Sequence, residues 1–199
     1  GLRNGGVLRM KRTLRATVAA VMVSGAACAA SVPVTDIQAG QSRIGAEYSF
    51  AQTATGENGH HDGFGVSLST GLTDKLALQY AYGDNNLKHG DHKGHRVDAI
   101  YNIAPNFNLY GGATFVKAPG DSETGFQAGV IGYMPLTDKI KGYAKVGFGN
   151  DIQQTYQVGA AYDLGNNIDL NLYYQYDKYS LDNGDGNVKG LHAGVGYSF

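Results

Sequence analysis

Five of the six histidines lie in two polar stretches of the chain, and this clustering is typical of metal-binding loops. The first stretch contains His60 and His61, and the second contains His89, His92 and His95. Imidazole nitrogens bind Zn²⁺, Cu²⁺ or Ni²⁺, and the neighbouring carboxylates of Asp62 and Asp91 could assist. A spacing of three residues does not define a geometry in a glycine-rich loop, so solvated loop histidines are the alternative. The pattern gives a metal-site hypothesis and leaves it open.

Serine and histidine residues offer a second kind of chemistry, nucleophilic catalysis. An activated serine needs a base within hydrogen-bond reach. The candidate pairs combine Ser67, Ser69 or an aspartate at the rim with His192, His60 or His95. No local motif supports any of these pairs, and the sequence contains no P-loop, nucleophile elbow or paired-cysteine metal motif. We therefore predict that the protein is not an enzyme and uses no cofactor.

Charged residues at alternate positions form a third set, in which acidic and basic side chains nearly balance. Its members are Arg43, Glu47, Arg96, Asp98, Lys141, Lys145, Asp163, Asp169, Asp177 and His192. The positions between them are apolar, so this set lies on the polar face of a series of strands. If the strands close into a barrel with this face inside, two interpretations compete. The charges form either a salt-bridged core that plugs the barrel or the lining of a narrow pore.

The elements that carry these residues are predicted strands joined as hairpins. The strands cover 41–51, 63–72, 76–83, 95–103, 107–116, 125–135, 140–149, 154–164, 168–179 and 188–199. Short turns recur near residues 73–75, 104–106, 137–139 and 165–167, and they alternate with longer polar loops at 52–62, 84–95, 117–124, 149–153 and 180–187. This alternation is typical of transmembrane β-barrels, in which tilted segments of about 9–11 residues suffice to cross.

One face of each strand is apolar, most clearly in the ninth, where Leu170, Leu172 and Tyr174 alternate with polar residues. The fold class predicted is all-β, a closed up-and-down antiparallel transmembrane barrel of ten strands, with eight as the alternative. A soluble sandwich or lipocalin-like barrel would also alternate, but with its apolar face inward. The polar face here is rich in Gly, Ser, Gln, Asn and Tyr and poor in charge, which favours a crowded lumen.

The first thirty residues indicate export. Residues 1–9 precede a plausible start methionine and are interpreted as an over-extended gene start or a cloning remnant. Residues 10–30 have the basic start, short apolar run and small terminal residues of a secretory signal, with cleavage after Ala29 or Ala30. A lipoprotein signal that uses Cys28, the only cysteine, is the less favoured alternative. The remaining chain divides into a short periplasmic lead-in, 31–40, and the barrel, 41–199.

The charge of the exported chain excludes one class of partner. Removal of residues 1–30 leaves 11 basic and 17 acidic residues, a net charge of −6 with neutral histidines. This acidic balance argues against a polyanionic partner, so we expect no nucleic-acid partner.

The last ten residues carry a motif. Leu191, Ala193 and Val195 alternate with polar or small residues, and the chain ends on an aromatic side chain. The polar-x-Gly-x-x-aromatic-x-aromatic pattern is formed by His192, Gly194, Tyr197 and Phe199. It resembles the terminal-strand signal of Gram-negative outer-membrane β-barrel proteins, the porin-like, OmpX-type and OmpA-barrel-type proteins, although no motif identifies a subfamily.

The resemblance implies a location and a set of partners. We expect an integral outer-membrane barrel that contacts lipid and lipopolysaccharide and is recognised by the barrel assembly machinery through its last strand. The leading functional prediction is a structural protein or a narrow porin-like channel for small solutes or ions. A surface module that binds or adheres through its extracellular loops is the alternative, and a rim enzyme is the least favoured.

Overall fold

The described part of the chain forms a closed β-barrel. The computed structural model describes residues 31–55, 59–87, 90–118, 121–150, 152–181 and 184–199, so the predicted signal segment, 10–30, lies outside the described residues. The ten strands are β1 (Ser42–Ala54), β2 (His61–Gly71), β3 (Leu76–Leu87), β4 (Gly90–Ala104), β5 (Phe107–Ala118), β6 (Asp121–Pro135), β7 (Ile140–Gly149), β8 (Gln154–Gly165), β9 (Ile168–Leu181) and β10 (Gly184–Ser198). Each strand is antiparallel to its sequence neighbours, and β1 pairs with β10 to close the barrel. The ten-stranded prediction is confirmed, and the eight-stranded alternative is wrong.

Strands extend into segments that were predicted as loops. The stretch 84–95 is mostly paired strand, since β3 continues to Leu87 and β4 begins at Gly90. The same holds for β5 with β6 and for β9 with β10. Backbone pairing does not need apolar side chains, so an antiparallel ladder continues where the side chains become polar. The loop predictions of up to twelve residues were therefore too long for these hairpins.

Two of the short turns repeat one sequence and one geometry. In each Leu-Thr-Asp-Lys turn the leucine N–H donates to the carbonyl of the residue that starts the next strand, Leu72 to Leu76 and Leu136 to Ile140, both at 2.8 Å. The threonine hydroxyl accepts the N–H of that same residue. These turns gather at one end of the barrel, which we call the turn end, and the opposite end is called the loop end.

No helix in the described part of the chain is long and apolar enough to cross a membrane.

The apolar face of each strand points outward. Leu170 and Leu172 are about half exposed, while Lys145 and Asp177 are buried on the inside. The outer belt contains large exposed apolar side chains from all ten strands, including Ile44, Leu68, Leu78, Val97, Leu109, Val130, Phe148, Val158, Leu172 and Val195. Exposure of this much apolar surface to water is unfavourable, whereas the hydrocarbon core of a bilayer accommodates it. The closed sheet also leaves no unpaired backbone edge in lipid.

Candidate functional site: the polar lumen

A chain of hydrogen bonds crosses the middle of the lumen. It begins on β4, where Arg96 Nε donates to Asp98 Oδ2 at 2.7 Å and Arg96 Nη2 donates to Gln127 Oε1 at 2.8 Å. Gln127 Nε2 then donates to Thr155 Oγ1 at 2.7 Å. Thr155 in turn donates to Asp177 Oδ1 at 2.5 Å. The four strands β4, β6, β8 and β9 are thereby linked through the barrel interior, and both carboxylates receive donors.

A lysine and a tyrosine complete this central network. Lys145 Nζ lies 4.4 Å from the centre of the Tyr110 ring, and Arg96 lies 5.6 Å from the same centre. Tyr110 donates its hydroxyl hydrogen to Gln127 Oε1 at 2.9 Å. The network therefore holds two cations and two carboxylates. Arg96 pairs with Asp98, Lys145 lies over the Tyr110 ring, and Asp177 accepts hydrogen bonds from Thr155 and Gln175.

Glycines on the inner face make room for the network. A Cβ atom built on Gly147 would lie 1.8 Å from the Tyr110 hydroxyl, and one built on Gly112 would lie 1.8 Å from Asp98 Oδ1 and 2.4 Å from the Val97 carbonyl. Any larger residue would displace these groups. The inward glycines therefore do not leave an open channel here, because the side chains opposite occupy the space.

A second polar group lies at the seam where β1 meets β10. Ser49 Oγ is 2.8 Å from His192 Nδ1, and the His192 ring stacks on Tyr173 at 4.7 Å between centres. The Tyr173 hydroxyl donates to Glu47. Glu47 on β1 and His192 on β10 are thus joined through Tyr173.

The segment that precedes β1 lies inside the barrel. Residues 31–35, part of the predicted periplasmic lead-in, are buried or half-buried between strands. Val32 N donates to Glu47 Oε1 at 2.8 Å, and Gln79 Nε2 donates to the Val32 carbonyl at 2.8 Å. Asn108 Nδ2 donates to the carbonyls of Val34 and Thr35 at 3.0 and 2.6 Å. The segment therefore occupies the turn-end half of the lumen.

A cavity of about 540 Å³ opens at the turn end beside this segment. Arg43 forms a two-point ion pair with Asp169, with N–O distances of 2.7 and 2.9 Å. Lys141 Nζ donates to Asp36 Oδ2 at 2.7 Å, and Asp163 lies exposed at the rim. Lys141, Asp163 and Asp169 share this end of the barrel, but each has a different partner.

The histidine-rich segments are only partly described. His89 lies outside the described residues, and the structure describes no side chain for His61 or His92. His95 lies on the outer face with its ring 5.1 Å from that of Tyr82, and its Nδ1 is 2.5 Å from the Tyr80 hydroxyl. Among the described residues no group of three His, Cys, Asp or Glu side chains could hold a metal ion. The metal-site hypothesis stays a prediction.

The predicted serine–histidine pairs can also be placed. Ser67 and Ser69 lie on the inner face of β2, His60 is exposed before β2, and His95 faces outward. The hydroxyl that contacts His192 belongs instead to Ser49. The described part of the chain thus does not bring either candidate nucleophile together with its proposed base.

Several lumen residues were missed because they interrupt the polar inner face. Ile100 and Ile131 point inward and are almost fully buried, and they pack with Tyr110. Asn108, which binds the inner segment, was also missed. A signal was available, since an isoleucine in the inward register needs an apolar partner inside the barrel.

The fold and site together define a class. A closed antiparallel barrel with an apolar outer belt and a hydrogen-bonded, charged interior is an outer-membrane β-barrel protein. Residues 35–199 match the family described as Gram-negative porin, and the chain belongs to this family. A comparison with curated protein sequences finds no match.

Solved structures support the fold. The COG4313 outer membrane channel from Pseudomonas putida F1 is similar at 11% identity and a TM-score of 0.52, over 85% of this chain and 100% of that chain. The translocator domain of autotransporter NalP from Neisseria meningitidis is similar at 14% identity and a TM-score of 0.50, over 94% of this chain and 99% of that chain. At these identities the likeness concerns the fold.

The terminal motif lies where the barrel closes. Phe199 N donates to the Ser42 carbonyl and Ser42 N to the Phe199 carbonyl, both at 2.8 Å. The side chains of Tyr197 and Phe199 stack outside the barrel at 6.0 Å, and Phe199 is 62% exposed. His192 and Gly194, the other two motif residues, point inward on the same strand.

We expect Phe199→Ala to remove most of the assembled protein from the outer membrane, because the exposed terminal ring would be the group that the assembly machinery reads. Phe126→Ala is the matched control, since Phe126 is equally exposed at 63% on the outer face of β6. The measurement is the amount of folded, heat-modifiable protein in the outer-membrane fraction. Both variants should refold equally well from urea into detergent. A similar loss for both variants in cells would show that Phe199 has no special role.

Proposed function

We propose that this barrel is a narrow channel for small hydrophilic solutes or ions across the outer membrane. The observation that carries this proposal is the polar lining of the lumen, from the turn-end cavity through the central network. Lys141 and Arg43 line the cavity, and Lys145, Arg96 and Asp177 lie beyond it. Both signs of charge line the path, so small solutes and ions would be accepted without a strong preference.

The channel would be closed in the conformation described. Residues 31–35 occupy the turn-end half, and the central network crosses the middle. Ten strands lie close to the eight that leave an interior just filled by side chains. We therefore expect brief openings of small conductance rather than a permanently open pore.

The experiment is single-channel recording of the purified protein in a planar bilayer. Neutralising Lys141 and Lys145 together, as Lys141→Gln and Lys145→Gln, should shift the reversal potential in a salt gradient toward cation preference. Lys75→Gln, in an exposed turn outside the cavity lining, is the control and should leave the ion preference unchanged. An ion preference that does not respond to the double change, or silence even after removal of residues 31–37, would contradict the channel.

The proposed setting follows from the outer belt and the last strand. Lipid and lipopolysaccharide would contact the apolar belt, the signal segment would direct export, and the assembly machinery would insert the barrel.

A further inference from the structure

The segment that precedes β1, residues 31–37, is called the inner segment, and it is held in the lumen mainly through its backbone. Four side chains from four different strands form hydrogen bonds with its main-chain groups. Glu47 accepts the Val32 N–H, and Gln79 donates to the Val32 carbonyl. Asn108 donates to the carbonyls of Val34 and Thr35, and Gln157 donates to the Ser31 carbonyl at 3.0 Å. Pro33 disfavours the helical region for Val32, which suits an extended path. Backbone recognition of this kind binds an extended peptide, much as a strand is bound by a sheet edge, but here the donors and acceptors are side chains.

Two apolar clusters on the lumen wall receive the side chains of the segment. Val32 packs with Tyr143 and Tyr173. Val34 and Ile37 pack against the cluster of Ile100, Tyr110 and Ile131. Inward isoleucines are out of place in a water-filled lumen, since they would face water without a partner. Their burial beneath Val34 and Ile37 explains why the inner face is apolar at these positions.

Charge and hydroxyl contacts add recognition at the mouth. Lys141 Nζ donates to Thr35 Oγ1 at 2.6 Å and to Asp36 Oδ2 at 2.7 Å. Asp36 is exposed, so this contact lies at the boundary with the turn-end cavity. Two buried side-chain atoms, Gln157 Oε1 and Asp98 Oδ1, have no hydrogen-bond partner among the described residues, and Gln157 is the one that contacts the segment. The wall therefore retains an acceptor next to the deep end of the segment.

We propose that the lumen is a binding site for an extended peptide and that residues 31–37 are its intramolecular occupant. The site recognises the peptide backbone through Glu47, Gln79, Asn108 and Gln157. Its apolar clusters take the side chains of Val32, Val34 and Ile37. Among the described residues the segment is covalently continuous with the wall at β1, and its other contacts with the wall are hydrogen bonds, an ion pair and apolar packing. It can therefore leave through the turn-end mouth without disturbing the strand ladder. Its departure exposes the site and widens the turn-end half of the lumen. The peptide site does not depend on conduction, so it goes beyond the channel function proposed above.

The first test measures binding in trans. A barrel lacking residues 31–37 is purified in detergent, and a peptide with the sequence of residues 31–37 is labelled at its C-terminal end. Fluorescence anisotropy should show saturable binding, and a peptide with the same residues in shuffled order should not bind. Asn108→Ala and Gln157→Ala should each weaken binding at least several-fold. Gln154→Ala, on the outer face of the same strand as Gln157, should leave binding unchanged.

The second test uses the full chain, so that it stands even if the shortened barrel does not fold. In a Cys28→Ser background, Val34→Cys provides a single thiol inside the lumen, packed against the cluster of Ile100, Tyr110 and Ile131. A maleimide on a large polyethylene glycol should react slowly with this thiol, and Asn108→Ala or Lys141→Ala should accelerate the reaction. A thiol that reacts at the rate of an exposed control, Gln38→Cys, would overturn the proposal, as would the absence of saturable peptide binding.

Single-channel recording in a planar bilayer distinguishes the peptide site from the channel function. If the shortened barrel opens for longer and the added peptide closes it from the turn side, the result supports both. If the peptide binds but neither form conducts, the peptide site is supported and the channel is overturned. If the barrel conducts but the peptide neither binds nor blocks, the peptide site is overturned and the channel is retained.

Discussion

Asp98→Ala is expected to lower the free energy of unfolding by about 3–5 kcal/mol, because it leaves the buried Arg96 guanidinium without its carboxylate. Asp98 is 3% exposed and Arg96 is 6% exposed, and their N–O distance is 2.7 Å. The remaining acceptor of Arg96, Gln127 Oε1, is neutral and also accepts from Tyr110. Chemical unfolding of the purified protein, followed by far-ultraviolet circular dichroism, measures the change.

A double variant provides the control for this prediction. Removing both partners, as Arg96→Met with Asp98→Ala, should recover much of the loss, because no charge is then stranded inside the barrel. Asp98→Asn should be intermediate, since it retains an acceptor but loses the charge. If Asp98→Ala costs less than about 1 kcal/mol, the pair is screened by water as an exposed pair would be. The central network would then be open rather than packed.

Leu172→Arg is expected to cost about 2–4 kcal/mol, which is the range for a cation near the midplane on the lipid face of a barrel. Leu172 is 53% exposed on the outer face and lies in the part of β9 where the predicted crossing is centred. A guanidinium there must reach the interface or draw water into the hydrocarbon. Unfolding from lipid vesicles is the measurement, because only lipid imposes this penalty.

Depth provides the control for the second prediction. Leu164 is 50% exposed on the outer face, but it lies at the turn end of β8, close to the expected interface. Leu164→Arg should cost only about 0–1 kcal/mol. Equal costs at the two positions would show that the outer belt does not span a bilayer as the fold implies. Equal costs in water without lipid would carry no such meaning, so the comparison is made in vesicles.

The pattern of the sequence predicted the faces of the strands because alternation is local. Within one strand, Leu170 and Leu172 must point opposite to Asp169 and Asn171 whatever the rest of the chain does. The short turns were predictable for the same reason, because the local sequence Leu-Thr-Asp-Lys forms the same hydrogen bond in two different hairpins. The loop lengths were less predictable, because backbone pairing continues through polar residues such as those that follow Gly83.

The network inside the barrel depends on register between strands that are distant in the chain. Arg96 and Asp98 are neighbours on one strand, and their contact was within reach of the sequence. The bonds from Gln127 to Thr155 and from Thr155 to Asp177 depend instead on how three strands are tilted and staggered around a closed cylinder. No periodicity within one strand carries this information.

By itself, the sequence determined an outer-membrane barrel with apolar residues outside and polar residues inside, because each residue's face follows from its position along its own strand. Only the tertiary structure decided what fills the interior. Residues 31–35 have no strand pattern of their own and were predicted as part of a short periplasmic lead-in. Their place in the lumen follows from a space that exists only once the first and last strands have met, since the groups that hold them come from strands far apart in the chain.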